Sequence, residues 1–346
     1  MMNHGSVTCD SLATISFAKD GIYAHEQDGG AIPTAVWRPN STCLIDSVKG
    51  TVPSNGNQDF YNVLWNCPEQ ISNLNMKWDG NTIGGNITIQ NTGTGSWQMC
   101  APATGTTATV TINGDIIQSG GQFTSNGTSN ANTTITINHN GNIDVTGGNF
   151  SVSRGSQGGS GTTVWNLTEN VSLANNNTQN SNPSGAKFVF TKDEGTQTLA
   201  FSEVTFGGGG FPVEVDSGTF LDIGTSILEG NGSFNLKAGA TLLTAHVDGL
   251  DASVVNTGTK IFDKAASFGF NGSEAQLTGS ILPDTVNNLI FDNDAGVTFS
   301  NSVVVNGTLE MESGAMSTGD NTLVYSANAS LKYSGTSIQT TNGKWA

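Results

Sequence analysis

The sequence predicts an all-β chain, a right-handed parallel β-helix (β-solenoid) of roughly a dozen coils. Three observations carry this. Apolar residues come in short alternating groups such as Ile87-Thr-Ile89 and Val110-Thr-Ile112, the signal of half-buried strands, and no stretch has a helical period. Asn and Gly crowd the intervals, where corners need left-handed backbone. The chain also repeats itself: TVTINGDIIQSGGQFTSNG (109–127) is rewritten as TITINHNGNIDVTGGNFSVSRG (134–155), which aligns Ile112 with Ile137 and Phe123 with Phe150. An all-β echo of about 25 residues is one coil of a solenoid, because a single coil buries its apolar face only by stacking on the next.

The elements follow in order. Residues 1–110 read as longer coils that hold all four cysteines and Trp37, Trp65, Trp78 and Trp97. Residues 200–346 read as short regular coils. One corner recurs there as DSGTFL (216–221), KAGATLL (237–243), DAGVTF (294–299) and ESGAMS (312–317), and NNLIFDN (287–293) echoes YNVLWNC (61–67). SNPSG (181–185) and FGGGGF (206–211) are the irregular-coil candidates. Neither reads as a linker, so 1–346 is expected to be one domain. A pair of β-sandwiches would instead require independent hairpins with two-residue turns.

Composition excludes several function classes. A formal net charge of −16 with 12 scattered basic residues supplies no counterion-displacing patch for nucleic acid. No apolar run approaches membrane-spanning length. Cys9, Cys43, Cys67 and Cys100 form neither CxxC nor a zinc-spaced Cys/His set. They permit three disulfide pairings; Cys43 and Cys67 lie about one coil apart and are the favoured stacked pair. Disulfides, the composition and a start lacking basic and apolar leader regions point to a piece of a secreted or cell-surface protein, and the end TTNGKWA also reads as a cut.

A catalytic constellation is not found. Hydrolysis of a glycan needs two converging carboxylates, and the closest groupings are Asp292 with Asp294 and Glu310 with Glu312, each at an expected corner. β-Elimination needs a base beside a cation, yet the only arginines, Arg38 and Arg154, have no basic neighbour in their coils. His4, His25, His139 and His246 stand far apart and are expected at the surface, and no usable GxSxG nucleophile elbow, which a helix would have to follow, is found. The chain is therefore read as a non-enzyme without a cofactor; calcium on Asp292-Asn-Asp294 is the single cation candidate.

The remaining lead is aromatic, because sugar rings stack their C–H faces on Trp and Tyr. Period-two parity assigns Trp65 and Trp165 to the core. Tyr23, Trp37, Trp78 and Trp97 lie at strand ends or corners and are read as solvent-facing rings that stack a glycan. His25, Arg38 and Asp79 beside them are read as hydrogen-bonding partners for its hydroxyls.

The phrases GIYAHEQDGGAIPTAVW (21–37), FYNVLWNCP (60–68), GNTIGGNITIQNTGTGSWQ (80–98), GNIDVTGGNFSVSRGSQGG (141–159) and ILPDTVNNLIFDNDAGVTFSNSVVVNGTLEM (281–311) resemble secreted β-helical surface proteins of Bacteroidota and related bacteria. Those proteins are exported with a C-terminal sorting domain, which this sequence does not contain. The chain also resembles parallel β-helix carbohydrate-binding modules attached to xylanases. That resemblance implies a non-catalytic module holding an attached secreted hydrolase on a plant cell-wall polysaccharide, xylan first; it supplies no site residues. A structural stalk or adhesin segment and a β-helix lyase or hydrolase are the alternatives.

Overall fold

The alternating groups do form strands, and the strands stack. The computed structural model describes residues 2–3, 14–181, 185–335 and 340–341. It is an all-β solenoid of about 13 turns in which every described strand pairing is parallel. The one described α-helix is a single turn, Leu250–Ser253, and among the described residues no helix is long and apolar enough to cross a membrane. His4, Cys9 and most of SNPSG lie outside the described residues.

Two compact units make up the chain: Met1–Phe188 with Ser202–Pro212, and Val189–Phe201 with Val213–Ala346. The first has a short ladder of Ile15–Phe17 on Ala35–Trp37 and three longer ones. One runs through Ile22–His25, Thr42–Ile45, Asn62–Asn66, Ile87–Asn91, Ile116–Gln118 and Ile143–Val145. A second runs through Thr82–Ile83, Thr107–Ile112, Thr134–His139 and Thr162–Leu167. The third, which positions the candidate site, runs through Leu74–Asn75, Trp97–Cys100, Gln122–Asn126 and Asn149–Ser151.

The second unit repeats the plan. Val213–Val215, Phe234–Leu236 and Lys260–Phe262 make one ladder; Phe220–Asp222, Thr241–Thr244, Ser267–Phe270, Leu289–Thr298, Thr308–Ser317 and Ser330–Tyr333 make another.

Corner chemistry sets the coil spacing. Asn62 Oδ1 accepts the N–H of Asn86, Asn86 Oδ1 that of Asp115, Asp115 Oδ1 that of Asn142, and Asn142 Oδ1 that of Asn170, at 2.7–3.3 Å. Each coil's Asx side chain thus satisfies a backbone donor that the turn leaves unpaired in the next coil. Gly85, Gly114 and Gly141 stack beside this column. A Cβ on Gly141 would stand 2.3 Å from the Gly114 carbonyl oxygen, so only glycine fits. DSGTFL and KAGATLL stack as corners through Gly218 N–H to Gly239 O at 3.1 Å. DAGVTF and ESGAMS are instead carried inside two long strands, whose register shifts between Phe291 and Asp292 and again between Asn293 and Val297.

The opening echo is real but offset. Phe123 pairs with Phe150 as aligned, whereas Ile137 pairs with Val110, and Ile112 pairs with His139. A slip of two keeps every side chain on its own face, so the sequence pattern tolerates it. Its consequence is that His139 occupies an inward position in a column with Ile112 and Leu167. It is fully buried, not at the surface as expected.

The cysteine expectation is corrected by the same means. Cys43 lies beside Val63 and Ile45 beside Trp65, so Cys67 falls beyond the end of the shared register. Cys43, Cys67 and Cys100 are buried free thiols. Burial raises the affinity of all three for their protons, Cys67 to about 12.

Candidate functional site

The rings predicted to face solvent are inside. Tyr23, Trp78 and Trp97 are fully buried, and Trp37 is 8% exposed. They belong to an aromatic column in the interior of the first unit. Phe17 stacks on Trp37 at 4.5 Å, Trp37 meets Phe60 at 4.9 Å, Trp78 meets Trp97 edge-on at 5.4 Å, and Trp97 stacks on Trp65 at 4.9 Å. The column continues through Phe123 and Phe150 to Trp165, so Trp65 and Trp165 are core as expected.

The indole N–H groups of the column other than that of Trp97 find acceptors in the protein. Trp78 donates to the Gly56 carbonyl at 2.8 Å, Trp65 to Gln70 Oε1 at 2.9 Å and Trp37 to Gln58 Oε1 at 3.3 Å. A corner Trp therefore needs no solvent when the previous coil offers a carbonyl. Trp97 Nε1 is buried without a partner.

The polar residues chosen beside those rings separate. His25 shares the inward parity of Tyr23, while Ile22 takes the exposed face. The His25 ring nitrogens meet Tyr23 Oη at 3.0 Å and the Gly29 carbonyl at 2.7 Å. Desolvation lowers its pKa, opposed by the Gly29 carbonyl and Asp46. Arg38 is exposed at the surface. Asp79 is half-buried, and its carboxylate accepts the Ala101 N–H at 3.0 Å, a corner bond. The seven residues thus form no open ring-lined groove.

A polar cleft lies on the other side of the third ladder. In each strand the residue after the inward Leu74, Trp97, Phe123 or Phe150 takes the opposite side of the ladder: Asn75, Gln98, Thr124 and Ser151, in register, the last three themselves buried. A neighbouring file carries Asn73, Ser96, Gln122 and Asn149. These residues other than Asn75, with Phe123, Gly127, Arg154 and Gln179, line a cleft of about 150 Å³. Ser96 donates from both N and Oγ to Asn73 Oδ1, Ser151 Oγ accepts the Gln179 N–H at 3.0 Å, and Arg154 Nη1 donates to Gln179 Oε1 at 2.7 Å. The Arg154 backbone N–H is held by the Asn126 carbonyl and by Thr124 Oγ1, which fixes the root of that side chain.

No carboxylate lines this cleft, although the chain has 28 acidic residues. Apart from Phe123, Gly127 and Arg154 the lining side chains are amides and hydroxyls, groups that both donate and accept hydrogen bonds. Parity held the signal that sequence reading missed. The polar residues one step beyond Trp97, Phe123 and Phe150 form a vertical file once the coil register is known.

A second hollow of about 400 Å³ lies against Glu26, Asp28, Asp46, Lys49 and Glu69. Its acids are engaged in the fold. Asp28 Oδ1 accepts the N–H groups of Lys49, Gly50 and Thr51 at 2.9–3.0 Å, which lowers its pKa, and Glu69 pairs with Lys49. Among the described residues no group of three or more His, Cys, Asp or Glu side chains is placed to hold a metal ion. At the calcium candidate the middle residue turns inward: Asn293 is buried, and its Nδ2 donates to the Glu274 carbonyl at 2.8 Å. In the last carboxylate grouping, burial, Glu310 and Asp292 raise the pKa of Glu312, while Glu310 is held by Lys332 and Ser334.

The chain matches no protein-family model, no curated protein and no solved structure.

Proposed function

We propose that the chain is a non-catalytic carbohydrate-binding module of a secreted or cell-surface protein, and that its binding face is the polar cleft of the first unit. The observation that carries this reading is the cleft lining: Asn73 exposed and Gln122 and Asn149 half-buried, beside the buried Gln98, Thr124 and Ser151, with no carboxylate among them. Parallel coils rise by about 4.8 Å, close to one pyranose unit of an extended glycan, so each coil can present an amide or hydroxyl to each sugar. The resemblance adds plant cell-wall xylan as the first ligand to test and an attached hydrolase as the partner domain. Binding here rests on hydrogen bonds rather than ring stacking.

The test is affinity electrophoresis against soluble xylan, arabinoxylan, mixed-linkage glucan and glucomannan, comparing the native chain with Gln122→Ala/Asn149→Ala. Retardation of the native chain and its loss in the double variant is the expected result; no retardation by any polysaccharide removes the reading. A structural stalk is the second reading. The burial of every predicted ring favours it, and it requires that no glycan bind.

A further inference from the structure

Arg154 is the one charged side chain lining the cleft. It is exposed, and Gln179 takes one hydrogen bond from Nη1. Among the described residues it has no ion pair, in a chain with 28 acidic residues and only 12 basic ones. A guanidinium carries five N–H donors in a planar fork that matches a carboxylate. A cation held at the rim of a neutral amide cleft, with every carboxylate kept out of the lining, is complementary to a ligand that is mostly neutral and bears an isolated acid.

We propose that the cleft selects a neutral-backbone glycan carrying sparse uronic acid branches, with the uronate carboxylate paired to Arg154. This rests on the glycan-binding reading and deepens it. The fixed guanidinium end also sets polarity: the neutral units lie over Gln122 and Asn149, and the acid lies toward Gln179. The net charge of −16 sets the limit on ligand charge. A protein this acidic repels a densely charged polyuronate over the whole surface, so a scattered carboxylate gains the local contact without the long-range penalty.

The experiment uses glucuronoxylan, the same polymer with its carboxyl groups reduced to alcohols, polygalacturonate and a sulfated xylan. Each is run by affinity electrophoresis with the native chain, Arg154→Gln and Arg154→Lys. The native chain is expected to bind glucuronoxylan about tenfold or more tightly than the reduced polymer, as a charge-assisted pair allows. Arg154→Gln should bind both polymers equally, at the strength of the reduced one, and Arg154→Lys should fall between. Circular dichroism and the melting temperature show that each variant is folded.

Equal binding of native and reduced glucuronoxylan by the native chain overturns the inference while leaving the glycan reading intact. So does preference for polygalacturonate or the sulfated polymer. Absence of binding to all of them removes the inference, and absence of binding to the neutral xylans, glucan and glucomannan as well removes both.

Discussion

His139→Leu is expected to make the chain more resistant to acid. His139 is fully buried between Ile112 and Leu167, its Nε2 hydrogen-bonded to the Gly114 carbonyl at 3.1 Å and its Nδ1 without a partner. Burial lowers its pKa from 6.5 to about 4, only partly offset by the Gly114 carbonyl and Asp115. The folded value lies below the unfolded one, so the unfolded chain takes up the proton first as pH falls. The stability held by the neutral ring is complete above pH 6.5 and is lost as pH drops toward 4. At about 1.36 kcal/mol per pKa unit, the loss reaches roughly 3 kcal/mol by pH 4. Other groups titrate in the same window, so the informative quantity is the difference between native chain and variant. Leucine removes the titration and the unpartnered nitrogen at the cost of one hydrogen bond, so the two chains should be within about 1–2 kcal/mol of each other at pH 7.5. Urea unfolding followed by circular dichroism at pH 7.5 and pH 4 measures this, with an imidazole NMR titration placing the pKa directly. Equal acid losses in both chains, or an imidazole titrating near 6.5, would refute the burial argument.

Two further outcomes follow from the interior. Trp78→Ala should cost about 3–5 kcal/mol in urea unfolding, because it opens a cavity in the aromatic column and strands the Gly56 carbonyl. Folded Trp78→Ala should keep the native glycan retardation, and selective loss of binding would return the rings to the site. Cys43, Cys67 and Cys100 should resist alkylation in the native chain and react after unfolding, since burial holds all three as protonated thiols. A Cys43–Cys67 linked peptide in mass spectrometry would contradict the strand register.

Architecture was legible because it depends on parity and period. Alternation at Ile87-Thr-Ile89 and the recurrence of Phe123 at Phe150 need only a pattern, and both survive an error of two residues in alignment. The candidate site depends on something alternation does not encode. Trp78 and Trp97 looked available because each adjoins a polar turn, yet the Trp97 face is decided by Leu74 and Phe123, its neighbours in the adjacent coils. Those contacts are set by register across roughly 23 to 26 residues of intervening chain, and local composition is silent on them.

The same geometry separates the two tasks of each strand in the third ladder. In the three strands after Leu74–Asn75 the inward residue, Trp97, Phe123 or Phe150, joins the aromatic column, so it is constrained by ring packing with neighbouring coils. The residue after it lies on the opposite side of the ladder, outside that column, and is held by polar neighbours: Gln98 by Ser96 and Thr124 by the Asn126 carbonyl. Gln98, Thr124 and Ser151 therefore differ from coil to coil while Trp97, Phe123 and Phe150 stay aromatic. A repeat detected through its rings thus points to the interior by construction. The residues free to meet a ligand are the ones that fail to repeat, and Arg154, a cation at the cleft rim with no counterpart in the other coils of the cleft, is the clearest departure.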